Sequence, residues 1–207
     1  MDDPGDRRMK RASEAREARR AHILREATSV FAARGYHGTS VTDLVAAAGV
    51  ARGTFYLYFE SKDQIFLALL DGLLLHLRAS VRGVERAPGA APVLEQLESI
   101  AVRILQTLVD NRPLTRIIFR EAVALDAAVD RRLAGFYGEL SEWVANAIGV
   151  GQGLGILRPS DPALAAACVL GCFRGVVQSQ VVEADGPVDV EGTARAVLDL
   201  MLRGLGR

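Results

Sequence analysis

Apolar and polar positions recur at helical spacing along nearly the whole chain, and few runs alternate with period two. Ile23, Leu24, Ala27, Val30 and Phe31 share one face of a first helix, and Gly35, free to take a positive φ, ends it. A short helix follows Ser40, with Val41, Leu44, Val45 and Ala48 as its inner face. Gly49 permits a tight turn, Val50 fills the space between two helices, and a second short helix runs from about Ala51 to Tyr58. A long helix begins at Ser61, which has capping-box spacing to Gln64 and Asp63 in its first turn. Ile65, Phe66, Leu69, Leu70, Leu73, Leu77, Val81 and Val84 form its face, and the proline-bounded stretch from Pro88 to Pro92 stops it. Further helices are expected at about 93–110, 113–124, 127–150, 162–183 and 190–204, separated by Gly, Pro, Asn and Asp clusters. The expected fold is all-α with about nine helices, and no internal repeat interrupts it.

Composition excludes some classes. Of 207 residues, 50% are hydrophobic, which excludes a disordered chain, and two cysteines exclude a disulfide scaffold. With 25 basic and 25 acidic residues the net charge is zero, which argues against a nucleic-acid binder only if the charge is evenly spread. It is not. Arg7–Arg34 carries nine basic and three acidic residues, a net +6, while Asp63 onward carries 14 basic and 17 acidic, a net −3. Phe31, Tyr36, Phe55, Tyr56, Tyr58, Phe59 and Phe66 crowd into 36 residues, so two domains with different tasks are expected. The division anticipated is a disordered basic arm at 1–15, a helix-turn-helix domain at 16–62 and a larger domain at 63–207. The charged N-terminus has no signal-peptide core, and the apolar runs near 67–77 and 163–173 are cut by Asp71, His76 and Arg174. They fall short of the roughly 18–20 residues of a membrane span, so a soluble, cytoplasmic protein with no membrane partner is expected.

Chemistry concentrates between Thr39 and Lys62. Helix, glycine turn and helix, with small alanines at the crossing, is the helix-turn-helix arrangement, whose second helix enters the DNA major groove. Arg52 suits bidentate pairing with guanine, Gly53 allows close backbone approach, and Thr54, Tyr56 and Tyr58 offer hydroxyls to phosphates. Thr54 also fits a thymine methyl. Lys62, in the first turn of the next helix, and Thr39, Ser40 and Thr42, at the start of the preceding one, are further phosphate candidates. Phe55 and Phe59, four apart, are the expected core pair, which leaves Tyr56 and Tyr58 on more exposed faces; the plainer alternative is that both tyrosines are packing aromatics.

Gly35, Tyr36, Thr39, Ser40, Ala48, Gly49, Val50, Gly53, Phe55, Tyr56, Tyr58, Phe59 and Lys62 stand at fixed spacing through FAARGYHGTSV and VTDLVAAAGVARGTFYLYFESKDQIF. Over about residues 16–66 this closely resembles the TetR family of bacterial transcriptional regulators. Ala51 stands where that family often has Ser and Tyr58 where His is common, departures that bear on operator preference. The resemblance implies a three-helix DNA-binding domain joined to a larger effector-binding and dimerising domain, whose last two long helices form a four-helix interface between subunits.

The body agrees with this from its own residues. Ala163, Ala167, Gly171, Gly175 and Ser179 recur every four residues, a small-residue seam that lets another helix approach, in the same subunit or in a partner. Cys168 and Cys172 on that helix read as two buried, inert small hydrophobes, and no histidine completes a metal site, so neither metal nor cofactor is expected. The resemblance implies an effector pocket among the body helices, with His76, Gln106, Phe119, Phe136, Tyr137, Trp143 and Gln178 as candidate liners. A mainly apolar lining suits a hydrophobic small molecule, and Arg116, Arg120, Arg174 and Glu121 are candidate anchors or simply one another's partners. No nucleophile–base pair, phosphate loop or paired carboxylates point to an enzyme. The expectation is a homodimeric repressor that binds a palindromic operator in double-stranded DNA and is released by effector. The alternatives are an activator of the same fold and a helical binding module without DNA binding.

Overall fold

The computed structural model of the chain describes residues 4–81, 84–85, 87, 89–121 and 127–205. Among these, nine α-helices and no strand are present: α1 Pro4–Arg34, α2 Val41–Ala48, α3 Arg52–Tyr56, α4 Lys62–Ser80, α5 Val93–Asp110, α6 Arg112–Glu121, α7 Ala127–Gly153, α8 Pro162–Val177 and α9 Val190–Leu205. The chain divides into two compact units, a head ending at Gly72 and a body starting at Leu73, with the boundary inside α4. The expected boundary at Lys62 is thus displaced along the chain. Ile65, Phe66 and Leu70 explain why: all are buried, and Phe66 packs 6.2 Å from Phe31 and 5.2 Å from Tyr36 between ring centroids. The start of α4 therefore supplies the head's own core.

In the head, Ile23, Ala27 and Phe31 of α1 are buried with Leu44 and Ala48 of α2, and with Phe55 and Phe59, whose rings lie 6.4 Å apart. Gly35 takes φ 72°, as the helix stop requires. α1 does not begin near residue 16, however. It reaches back to Pro4, where a disordered arm was expected. Pro4 suits a first helical position, and from Arg7 to Arg20 the chain is mostly Ala, Arg, Glu, Lys and Met. The packed half of α1 supplies the costly nucleus, so this stretch needs only propagation.

In the body, α5 packs against α6 and α9, α7 against α8, and α8 also meets α9. Ile148 of α7 is buried with Ala165 and Ala166 of α8, flanked by Val144, Ala145, Leu157 and Val169. Asp161 caps α8 by accepting from Ala163 N at 2.9 Å, with Pro162 next to it. α4 stops at Ser80, short of Val81 and Val84, which remain half-buried beyond it. The stop is tertiary: the Arg103 side chain donates to Ser80 O from Nε and Nη2, both at 3.3 Å, and so takes a carbonyl the helix end leaves open.

The helix expected at 162–183 forms, but its last six residues, Gln178–Glu183, widen into a π-helical turn. Three arginines one turn apart on α6 donate to its carbonyls: Arg112 to Gln180 O, Arg116 to Val181 O and Arg120 to Val182 O. Arg116 reaches on to Ala184 O at 2.6 Å and to the Asp185 carboxylate at 2.9 Å. The arginines therefore bond along the wider turn that buries both Val181 and Val182. Arg174 does not interrupt the helix. By length and composition Pro162–Glu183 is long and apolar enough to cross a membrane, and it packs one face, with Ala165, Ala166, Val177, Val181 and Val182 buried.

Candidate nucleic-acid interface

Ser40 starts α2 with a complete capping box. Its Oγ accepts from Asp43 N at 3.2 Å, while its own N–H donates to Asp43 Oδ2 at 2.9 Å. The Ser40 hydroxyl also donates to Asp43 Oδ2 at 2.6 Å, and Arg34 Nη1 lies 2.6 Å from Oδ1. These contacts, the Ser40 hydroxyl first, then its backbone and Arg34, hold the Asp43 carboxyl below the ordinary carboxylate range. The end of α1 and the start of α2 are thereby locked together. α2 closes at Gly49, at φ 60° and ψ 30°, whose N–H donates to Ala46 O at 3.2 Å. His22 of α1 reaches the same turn, with Nε2 3.0 Å from Ala48 O.

α3 follows this turn directly. Ala51 stands at its N-cap and offers no side-chain cap. Arg52 is exposed, with its guanidinium carbon 5.9 Å from the centre of the exposed Tyr56 ring. Gly53 is exposed, and a Cβ there would meet nothing within 4 Å, so packing inside the chain does not require glycine at that position. Thr54 and Tyr58 are half-buried and Thr42 is exposed. Leu57, which the pattern of polar groups passes over, is 73% exposed between the two tyrosines. An apolar side chain set between two candidate DNA-binding tyrosines was the available signal.

Two expected phosphate contacts also bond within the chain. Thr39 is 2% exposed, and its hydroxyl donates to Gly35 O at 2.7 Å, so it closes the turn after α1. Lys62 Nζ donates to Tyr36 O and Thr39 O, each at 3.1 Å, and sits 4.5 Å from the Tyr36 ring centre. The Tyr36 hydroxyl donates to Asp63. Lys62 thus fastens the α1–α2 turn to the start of α4 from within, because the carbonyls of that turn point at its ammonium.

In the body, the Arg174 guanidinium carbon lies 5.7 Å from the Phe119 ring centre and 5.9 Å from that of Tyr137, so these two expected liners meet around it. Phe136 is buried beside Tyr137, at 6.0 Å between ring centres, with the Arg78 guanidinium carbon 5.5 Å from its ring centre. Trp143 is half-buried. His76 and Gln106 are exposed, and Gln106 donates to Asp110, so neither joins that cluster. Gln178 donates to Glu183 across the π-helical turn. Arg116 and Arg120 serve the α8 carbonyls described above, and the Glu121 side chain lies outside the described residues. The seam residues Ala163, Ala167, Gly171, Gly175 and Ser179 are all exposed in the monomer. Leu164 at 65% and Leu200 at 66% are exposed on the same pair of helices, α8 and α9. Cys168 is exposed and Cys172 half-buried, so the expected burial of both does not hold, because they lie toward the open side of α8; both are free, and no group of three metal-ligating side chains occurs among the described residues.

The model of the tetR family of bacterial regulatory proteins matches residues 23–69, and that of the tetracyclin repressor-like C-terminal domain matches residues 90–205. The chain belongs to the TetR family. This TetR-family chain is 28% identical over 170 residues to the HTH-type transcriptional repressor DhaR of Mycobacterium sp. strain GP1, covering 82% of this chain and 85% of DhaR. The crystal structure of PfmR, a TetR-family regulator from Thermus thermophilus, superposes with a TM-score of 0.70 at 28% identity, covering 89% of this chain and 99% of PfmR. AibR, solved with isovaleryl coenzyme A and operator DNA, shares the fold with a TM-score of 0.66 at 21% identity, over 91% of this chain and 98% of AibR. The matched family is one of bacterial regulatory proteins, and DhaR and PfmR are transcriptional regulators.

Proposed function

We propose that this chain is a cytoplasmic, homodimeric transcriptional repressor that leaves its operator when a hydrophobic small molecule binds the body. The observation that carries the reading is α3, where Arg52, Gly53, Tyr56 and Leu57 stand exposed with no packing role for the glycine. Arg52 reads a guanine, Leu57 meets the apolar edge of a base or sugar, and Tyr56, Tyr58, Thr54 and Thr42 hold phosphates on either side, while the Ser40 hydroxyl is spent on Asp43. Thr39 and Lys62 hold the frame and do not touch DNA.

The exposed small-residue face of α8, with Leu164 and Leu200, supports dimerisation through α8 and α9. A two-fold dimer in turn presents two α3 helices to a palindromic site. AibR, solved with an acyl thioester and DNA, supports an acyl-type effector, and the aromatic cluster of Phe119, Phe136 and Tyr137 is where it would be held. Release follows if the ligand binds the body more tightly in the form that does not fit DNA.

A gel-shift on the DNA flanking the protein's own gene tests this. Binding to a palindromic segment there, reversed by a hydrophobic ligand that raises thermal stability, supports it. No binding to any such segment at moderate salt sinks it.

A further inference from the structure

The family match starts at residue 23, yet α1 starts at Pro4. The overhang is exposed at every residue from Arg7 to Arg19. At about 1.5 Å per residue, Pro4–Arg19 is a rod roughly 24 Å long, or about seven base-pair steps of duplex. From Arg7 to Arg20 it carries Arg7, Arg8, Lys10, Arg11, Arg16, Arg19 and Arg20 against Glu14 and Glu17. No apolar stripe runs along it: Met9, 69% exposed, is its one large apolar side chain. A helix without an apolar face is poorly suited to lying on a membrane or in a protein groove. Like charges one turn apart, as at Arg7 and Arg11 or Arg16 and Arg20, weaken it as an isolated helix. A polyanion alongside would remove that penalty.

The root of the overhang lies beside the helix-turn-helix. The Arg20 guanidinium carbon is 5.3 Å from the Phe59 ring centre, three residues beyond the end of α3, and His22 contacts the turn that precedes α3. We infer that the overhang is a second, sequence-independent DNA surface: it lies along phosphates of the duplex outside the half-site read by α3, and contact with them stabilises its helix. The inference rests on the reading of the chain as a DNA-binding regulator.

The test uses the full chain and a variant carrying Arg7→Gln, Arg8→Gln, Lys10→Gln, Arg11→Gln and Arg16→Gln, all at exposed positions outside the packed core. Both are titrated with a mixed-sequence duplex of about 60 base pairs across a range of salt. Removing one cation from a phosphate makes the log–log salt slope shallower by about 0.9. The variant is expected to lose more than about one unit of slope per protomer, and up to about 4.5. Hydrogen exchange of residues 7–19 in the wild type is expected to slow when the duplex is added. A slope change of about one unit or less, or no slowing in residues 7–19, overturns the inference while leaving α3 as the reader. Stronger slowing of those residues by phosphatidylglycerol vesicles at equal phosphate also overturns it, in favour of a lipid surface. Failure of the wild type to bind the duplex even at low salt overturns the DNA-binding reading itself, and the inference with it.

Discussion

Replacing Lys62 by alanine separates a structural lysine from a phosphate-binding one. The Lys62 ammonium donates to Tyr36 O and Thr39 O at 3.1 Å and faces the Tyr36 ring at 4.5 Å. Hydrogen bonds from a charged donor contribute about 1.5–3 kcal/mol each. A cation–π contact at a partly exposed site adds about 0.5–1 kcal/mol. The site is half-buried, so water replaces part of what alanine removes, and a net loss of about 2 kcal/mol is expected. Hydrogen exchange of the Thr39 amide, which donates to Tyr36 O at 3.2 Å in the same turn, reports that loss directly. It should exchange roughly 30-fold faster in Lys62→Ala. DNA affinity should fall to a similar degree on every sequence, and the salt slope should stay unchanged because the ammonium neutralises no phosphate. Unchanged exchange at Thr39 together with a slope shallower by about 0.9 would refute the assignment and return Lys62 to the DNA backbone.

Arg52→Ala should leave thermal unfolding unchanged but cost about 1–3 kcal/mol of discrimination at one or two operator base pairs, read by gel-shift on a mutated operator series; equal loss on all sequences would contradict base reading. Gly53→Ala should likewise fold normally, since a Cβ there meets nothing, and weaken operator binding; unimpaired binding would remove the close backbone approach from the proposal. The Asp43 carboxyl is held low in the folded head, so its contribution to stability is present above the unfolded value of about 3.9 and is lost as pH falls through the lower folded value. Ser40→Ala should flatten that acid limb in denaturant melts at stepped pH, and an unaltered limb would show that Ser40 does not set it. Gly171→Leu puts a large side chain into the exposed α8 seam and should yield monomers in sedimentation with helicity retained; an intact dimer would place the interface elsewhere.

Several of these expectations come from the sequence read locally. The helix faces of α1, α2 and α4, the Ser40–Asp43 cap, the Gly49 turn and the Phe55–Phe59 pair all depend on residues within about one helical turn of each other. Such contacts are written in the spacing itself. The charge division between head and body is legible for the same reason, since it needs only position along the chain. The roles of Thr39 and Lys62 were not legible. Lys62 and Tyr36 are 26 residues apart, and only folding aims the turn's carbonyls at the ammonium. The expected liners divide in the same way, with Phe119 and Tyr137 brought together around Arg174 while His76 and Gln106 are exposed.

Sequence periodicity and punctuation determined by themselves that the chain is helical, where most helices start, and that a helix-turn-helix sits in a basic head, because hydrogen bonding and amphipathic spacing act over a few residues. Tertiary structure alone decided the stop of α4, where Arg103 takes the Ser80 carbonyl, and the widening of the turn after α8, along which the α6 arginines bond. It also decided which polar side chains hold the frame and which remain free to meet a partner. A polar group's role is set by what lies within about 3 Å of it, and residues distant along the chain supply most of those neighbours.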